Sequence, residues 1–193
     1  MGTENPFVPS LPASEPPSLP SQHVEETTMT RTTALRVILV RHGEAGTTGA
    51  SDVHRSLTKK GERRVRQTGR ALKALHLNPD LILTSPLRRC RMTAGILSAI
   101  LSTPAESLKI SKCLTPGSRP QSVERELAAA KDSRLILLVG HAPHLDRLIM
   151  EWLKTPVMVV KLKKAGAACV DLRGGNAVLK WFAGPGMLRH VKS

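Results

Sequence analysis

The sequence predicts a single α/β domain, and three observations carry that prediction. From residue 34 onward, short apolar runs rich in Val, Ile and Leu alternate with longer segments of helical periodicity. Three of those runs stop at a polar signature: Arg41-His42-Gly43-Glu44, Ser85-Pro86-Leu87-Arg88-Arg89 and Gly140-His141. The chain is 193 residues long, a one-domain length ample for a core.

The elements follow in order. Leu35–Val40 is an apolar, β-branched run closed by a Gly turn, which reads as a buried strand. A helix opens after Leu57, with Thr58 as N-cap ahead of Lys59-Lys60-Gly61-Glu62. Val65, Thr68-Gly69, Leu72 and Leu75-His76 recur at helical spacing, and Pro79 breaks the pattern. The basic residues between them read as a solvated helix face. Asp80–Leu83 is a second buried strand, followed by a helix from about Pro86 to Leu101, stopped before Pro104. Ser107–Ile110 reads as a short strand, and a Pro/Gly loop at 116–120 leads into a helix over roughly 121–131. Leu135–Val139 is the clearest buried strand, with a helix after it from Pro143 to Leu153. Ala167–Leu172 and Ala177–Ala183, joined through Arg173-Gly174-Gly175-Asn176, read as a β-hairpin. Residues 1–33 are rich in Pro, Ser, Thr and Glu without apolar periodicity, which predicts a disordered tail ahead of a domain over 34–193. Met29, just before the first strand, is an alternative start.

Charge and composition exclude several classes. The net charge is +14, and the first 28 residues hold four glutamates but no Lys or Arg. The remainder therefore sets 29 basic against 11 acidic residues, a field that attracts polyanions and phosphorylated or acidic surfaces. Aromatics are 2% and Tyr is absent, which argues against a base-stacking module and sequence-specific nucleic-acid binding. Nonspecific polyanion binding stays open. Cys90, Cys113 and Cys169 are scattered and odd in number, giving neither a disulfide framework nor a zinc site. No apolar stretch approaches the roughly 20 residues of a membrane span, and the N-terminus lacks the features of a secretory signal. A cytoplasmic location is expected.

Strands that neighbour one another in an open α/β sheet bring the loops at their carboxyl ends together. If the three signatures do so, the pocket holds His42, His141 and at least two arginines without a carboxylate cluster. That chemistry suits a phosphoryl group, and it lacks the Asp and Glu ligands a metal-dependent phosphatase needs. A histidine beside an arginine can be a nucleophile or a proton carrier. Neither a metal nor a cofactor is expected. His141-x-x-His144, even with His54, has no Cys or carboxylate to complete a metal set. Cys90 reads as a small buried helix residue.

The blocks Arg41-His42-Gly43-Glu44-Ala45, Ser51–Gly61, Pro79–Arg89, Thr93-Ala94, Val139–Pro143 and Lys163–Ala168 occur in an order that resembles the histidine phosphatase superfamily. Within it, the chain is similar to the small SixA-type phosphohistidine phosphatases. The resemblance spans about residues 35–188. It implies a phosphoglycerate mutase-like three-layer sandwich, with a mostly parallel central sheet, helices on both faces and a C-terminal hairpin. It also implies that His42 attacks phosphorus and becomes a phosphohistidine, that Arg41 and Arg89 hold phosphoryl oxygens, and that His141 hydrogen-bonds the same group. Arg55 matches a further arginine facing the phosphate, and Gly43 and Glu44 complete the substrate-binding loop. Met92, Cys90 and Ala142 depart from the residues common there, which are Gln, Ala and Glu.

Larger members of the superfamily supply a carboxylic acid from a segment inserted after the second helix; here the interval offers only Glu106, so Glu44, Asp52 and His54 are the other candidate acids. The expected substrate is a phosphorylated protein carrying phosphohistidine, or a small phosphorylated molecule. The alternatives are a phosphatase of a metabolite ester and a phosphate- or phosphoprotein-binding module without turnover.

Overall fold

The computed structural model describes residues 34–46 and 51–191. The tail expected over 1–33, Met29 included, lies outside the described residues. Among the described residues six strands form one sheet: β1 (Leu35–Arg41), β2 (Leu81–Thr84), β3 (Leu108–Ile110), β4 (Leu135–Gly140), β5 (Ala167–Arg173) and β6 (Asn176–Ala183). Between and after them run α1 (Lys59–Ala74), α2 (Arg88–Leu101), α3 (Pro120–Ala129), α4 (His144–Trp152) and a short α5 (Pro185–Leu188). The sheet order is β3-β2-β4-β1-β5-β6. The first four strands in that order are parallel, and β5 and β6 add the antiparallel hairpin at one edge.

Both faces of the sheet are apolar because both are covered, as a parallel sheet requires. Leu35, Val37, Leu39, Ile136 and Leu138 pack with Val123 and Leu127 of α3 and with Leu145, Leu148 and Ile149 of α4. The alternate residues Ile38, Val40, Leu137 and Val139 pack with Val65 and Leu72 of α1 and Ala94 and Leu97 of α2. The period-two alternation of one strand thus feeds two cores, giving the expected three layers.

Thr58 caps α1, its hydroxyl accepting from the Gly61 amide at 3.0 Å. Val65, Thr68, Gly69 and Leu72 are buried as the spacing predicts, but α1 stops at Ala74. Leu75 and His76 are therefore exposed, and Leu77 is buried in their place, its amide bonded to the Leu72 carbonyl. A Cβ on Gly61 would lie 2.1 Å from the Glu44 carbonyl oxygen, so only glycine lets α1 pack onto the loop that carries His42. The hairpin turns on Gly174 and Gly175, both with positive φ (52° and 77°), as a twist-matched two-residue turn demands. α5 and three single 3₁₀ turns, at Asp52–His54, Ala105–Ser107 and Lys112–Leu114, are additions that the sequence pattern did not mark.

Candidate active site

β1, β4 and β2 are adjacent and parallel, with Arg41 opposite Gly140 and Thr84 opposite Val139. The three polar signatures therefore emerge side by side at the carboxyl edge of the sheet, where such folds place ligands. The His42 amide donates to the Gly140 carbonyl at 3.0 Å, and the Ser85 amide to the Val139 carbonyl at 3.0 Å. The His42 and His141 ring centroids lie 5.1 Å apart.

His42 is 7% exposed, and its Nδ1 lies 2.7 Å from the Gly43 carbonyl oxygen. A carbonyl only accepts, so Nδ1 carries the proton and Nε2 carries the lone pair. Burial, helped by the positive charges of Arg89, Arg41 and Lys164, pushes the His42 pKa down to about 4, so the ring is neutral near pH 7.

His141 is 3% exposed; the Arg89 guanidinium approaches its Nδ1 at 3.4 Å, and its Nε2 lies 3.0 Å from Ser85 Oγ. A guanidinium only donates, which assigns the His141 proton to Nε2. Burial first, then His42 and Arg89, push this ring's pKa down to about 3.

The three arginines are anchored differently. Arg41 donates through Nη1 to the Leu162 carbonyl at 2.8 Å, and its buried Nε has no partner among the described residues. A buried guanidinium donor without an acceptor is a place for an anionic oxygen. Arg89 is 5% exposed and donates to the Asp52 carbonyl at 2.6 Å and the Asp52 carboxylate at 3.1 Å. Arg55 donates to the Gly46 carbonyl at 2.7 Å and to the other Asp52 oxygen at 3.0 Å. Asp52 thus links Arg55 to Arg89, and these guanidinium bonds hold its carboxyl below its ordinary range.

Gly43 and Glu44 take supporting positions. The Gly43 amide donates to Thr93 Oγ1 at 3.1 Å, and Thr93 donates to the Arg89 carbonyl at 2.7 Å, which ties the His42 loop to α2. The Glu44 carboxylate turns to α1, where it meets Lys60 at 3.5 Å and Arg64 at 3.9 Å. Glu106 precedes β3, at the opposite edge of the parallel sheet from His42. Cys90 is fully buried and its thiol is pushed up to about 12, mainly by burial, which leaves it protonated and inert.

Sequence patterning missed four supports: Ser85 on His141, Thr93 under Gly43, the Lys164 charge near His42, and Asp146. Buried Asp146 accepts the Leu162 amide at 2.9 Å and so fixes the carbonyl on which Arg41 rests. No group of three His, Cys, Asp or Glu side chains among the described residues is placed to hold a metal. No helix among them is long and apolar enough to cross a membrane.

The depressed histidines, His42 and His141 foremost among the three with His144, make stability pH-dependent. The unfolded chain takes up their protons near the ordinary value of 6.5, whereas the folded chain resists until about 4 for His42 and about 3 for His141. Stability should therefore fall as pH drops from 6.5 towards 4. Thermal midpoints across that range check this, and His141→Gln should flatten the slope. An equal slope in that variant would place the acid sensitivity elsewhere.

A doubly covered α/β sheet with two neutral histidines and three arginines at its carboxyl edge defines an enzyme of phosphoryl chemistry. Residues 37–110 match the model of the histidine phosphatase superfamily (branch 1). An uncharacterised protein of Picosynechococcus sp. is 36% identical over 154 residues, covering 74% of this chain and 87% of that protein. The phosphohistidine phosphatase SixA of Escherichia coli is 28% identical over 164 residues, covering 82% of this chain and 99% of SixA. The structure of the protein histidine phosphatase SixA complexed with tungstate superposes with a TM-score of 0.74 at 27% identity, covering 80% of this chain and 99% of that one. The chain belongs to the histidine phosphatase superfamily.

Proposed function

We propose that this protein is a SixA-like protein phosphohistidine phosphatase in which His42 is the nucleophile. The observation that carries the reading is the state of His42: neutral, with Nδ1–H held by the Gly43 carbonyl and Nε2 free to attack. Arg41 Nε, Arg89 and Arg55 hold the phosphoryl oxygens, and His141 backs the clamp, its Nδ1 accepting from Arg89 while its Nε2–H turns to Ser85. In the first step the Nε2–P bond forms as the bond from phosphorus to the substrate's imidazole breaks. The proton stays on Nδ1, donated to the Gly43 carbonyl, which stabilises the cationic ring of the phosphoenzyme. In the second step water attacks phosphorus, the Nε2–P bond breaks, and phosphate leaves with the water's proton passing to its oxygens or to solvent. The tungstate held by the SixA structure is a tetrahedral oxyanion, in keeping with such a site.

The proton inventory supports a P–N bond over a sugar ester. The carboxylate in contact with the clamp is Asp52, and its lowered pKa keeps it ionised near neutrality, where it cannot donate a proton. A sugar alkoxide needs such a donor. An imidazole protonated on its remote nitrogen leaves as a neutral molecule and does not.

The surroundings support a protein substrate. From Ser102 to Arg119 the chain forms only two 3₁₀ turns and β3, which gives no lid. Beside the clamp lies an open groove of about 710 Å³, with Val53, Met92, Leu108 and Ile110 in its walls and Arg88 and Arg91 among its charges. The cytoplasm is the compartment that fits three free cysteines.

The test compares kcat/KM on a phosphohistidine peptide with kcat/KM on sugar phosphates. The peptide is expected to win by orders of magnitude. Equal or better turnover of sugar phosphates would overturn the assignment in favour of a metabolite phosphatase, and binding without turnover would favour a phosphate-recognition module.

A further inference from the structure

His144 stands apart from the chemistry derived so far. It opens α4, is 4% exposed, and neither ring nitrogen has a hydrogen-bond partner among the described residues. Burying an imidazole without a partner costs free energy that packing alone does not explain, since an apolar side chain would fill the same space without it. The ring forms part of the wall of a second cavity, of about 180 Å³, that is separate from the groove beside Arg88. Arg119 and Arg147 also line it, and so does His141. Arg119 and Arg147 are exposed, and neither side chain makes an ion pair or a side-chain hydrogen bond among the described residues. The first turn of α4 adds the partial positive charge of a helix N-terminus.

We propose that this cavity is a second anion subsite, which takes a carboxylate carried by the substrate close to its phosphoryl group. Its shared wall at His141 sets the placement: the subsite adjoins the same ring that lies 5.1 Å from His42, the phosphoryl-accepting histidine. Arg147 and Arg119 supply charge-assisted donors, and His144 supplies a neutral N–H to the same oxygens. Burial and the nearby Arg147 hold the free ring neutral, and a bound carboxylate opposes both effects, so the subsite gains affinity as pH falls. The inference deepens the phosphatase reading and rests on it for the identity of the phosphoryl donor. A carboxylate so placed can belong to an acidic residue flanking phosphohistidine in a protein, or to a small phosphorylated hydroxy acid.

Two matched pairs of substrates distinguish the sources. The first is a phosphohistidine peptide with a flanking Glu and its Gln counterpart. The second is phosphoserine and phosphoethanolamine, which differ by the carboxylate. Wild type should prefer the acidic member of at least one pair by roughly tenfold in kcat/KM, mostly through KM. Arg119→Gln with Arg147→Gln should bring that preference close to one. Both positions are exposed, so the double variant avoids the packing loss of His144→Leu. In parallel, the ring-nitrogen NMR signals of His144 should move on titration with malonate in wild type and not in the double variant.

A preference confined to the small pair, with poor turnover of both peptides, would leave the subsite standing and remove the protein-phosphohistidine assignment. Good turnover of both peptides at equal kcat/KM, with no preference in the small pair and His144 signals indifferent to malonate, would overturn the subsite and leave that assignment intact.

Discussion

His42→Ala should lose about 10⁴–10⁶ in kcat, the scale seen when a catalytic nucleophile is removed, while the protein still binds inorganic phosphate. The two readouts separate because the groups that would hold phosphate are the arginines, and none depends on the His42 side chain for its anchor. Wild type should also trap a covalent phosphoryl adduct that is stable in base and labile in acid, as a P–N bond is. Peptide mapping should place it on His42, and the variant should not form it. The neutral ring is what makes this expectation firm. An imidazole buried against Arg89 and Arg41 resists protonation, so its lone pair is available throughout the neutral range. Turnover surviving in His42→Ala, or an adduct mapped to His141, would reverse the roles of the two rings.

The elements that build the site were legible because they are local. β1, β2 and β4 are built on the apolar runs Val37–Val40, Leu81–Leu83 and Leu135–Val139, and runs of that kind sit inside a covered sheet. Each stops where a polar residue must leave the core, so the strand ends marked the pocket before any pairing was known. The contacts that tune the pocket were not legible, for an equally physical reason. Thr93 reaches Gly43 across 50 residues of chain, and Asp146 reaches Leu162 from one turn of a helix into a loop. Each is a single hydrogen bond between segments whose approach depends on the whole sheet order, and a single polar residue leaves no periodic trace. Glu44 shows the opposite error. Its neighbours in sequence point into the site, yet its own carboxylate is drawn to Lys60 and Arg64 because the close approach at Gly61 brings α1 against that loop. His144 shows a third kind: its buried position on α4 gives it the pattern of a core residue, and only its unpartnered nitrogens reveal otherwise.

Arg89→Ala should lower kcat/KM by about 10²–10³, equivalent to about 2.7–4 kcal/mol for one preorganised donor to a transition-state oxygen. Arg89→Lys should recover only part of that, because an ammonium replaces a planar fork with a point charge. The Asp52 carboxylate bears on the same group with the opposite sign. It sits 3.1 Å from Arg89 Nη2, where it competes with a phosphoryl oxygen for that donor. Its side chain is 60% exposed, so solvent screens the pair and its loss is worth at most about 1 kcal/mol. Orientation of Arg89 survives the loss, because Nη1 is held at 2.6 Å by the Asp52 backbone carbonyl, which a side-chain change leaves in place. Asp52→Asn should therefore tighten phosphate binding by roughly twofold to fivefold and leave kcat near wild type. A double-mutant cycle isolates the coupling: in the Arg89→Ala background the Asp52→Asn gain should vanish. If kcat instead collapses in Asp52→Asn with or without Arg89, the carboxylate touches the substrate itself and acts as the proton donor. The leaving group would then need an acid after all, and an ester would displace phosphohistidine as the favoured substrate.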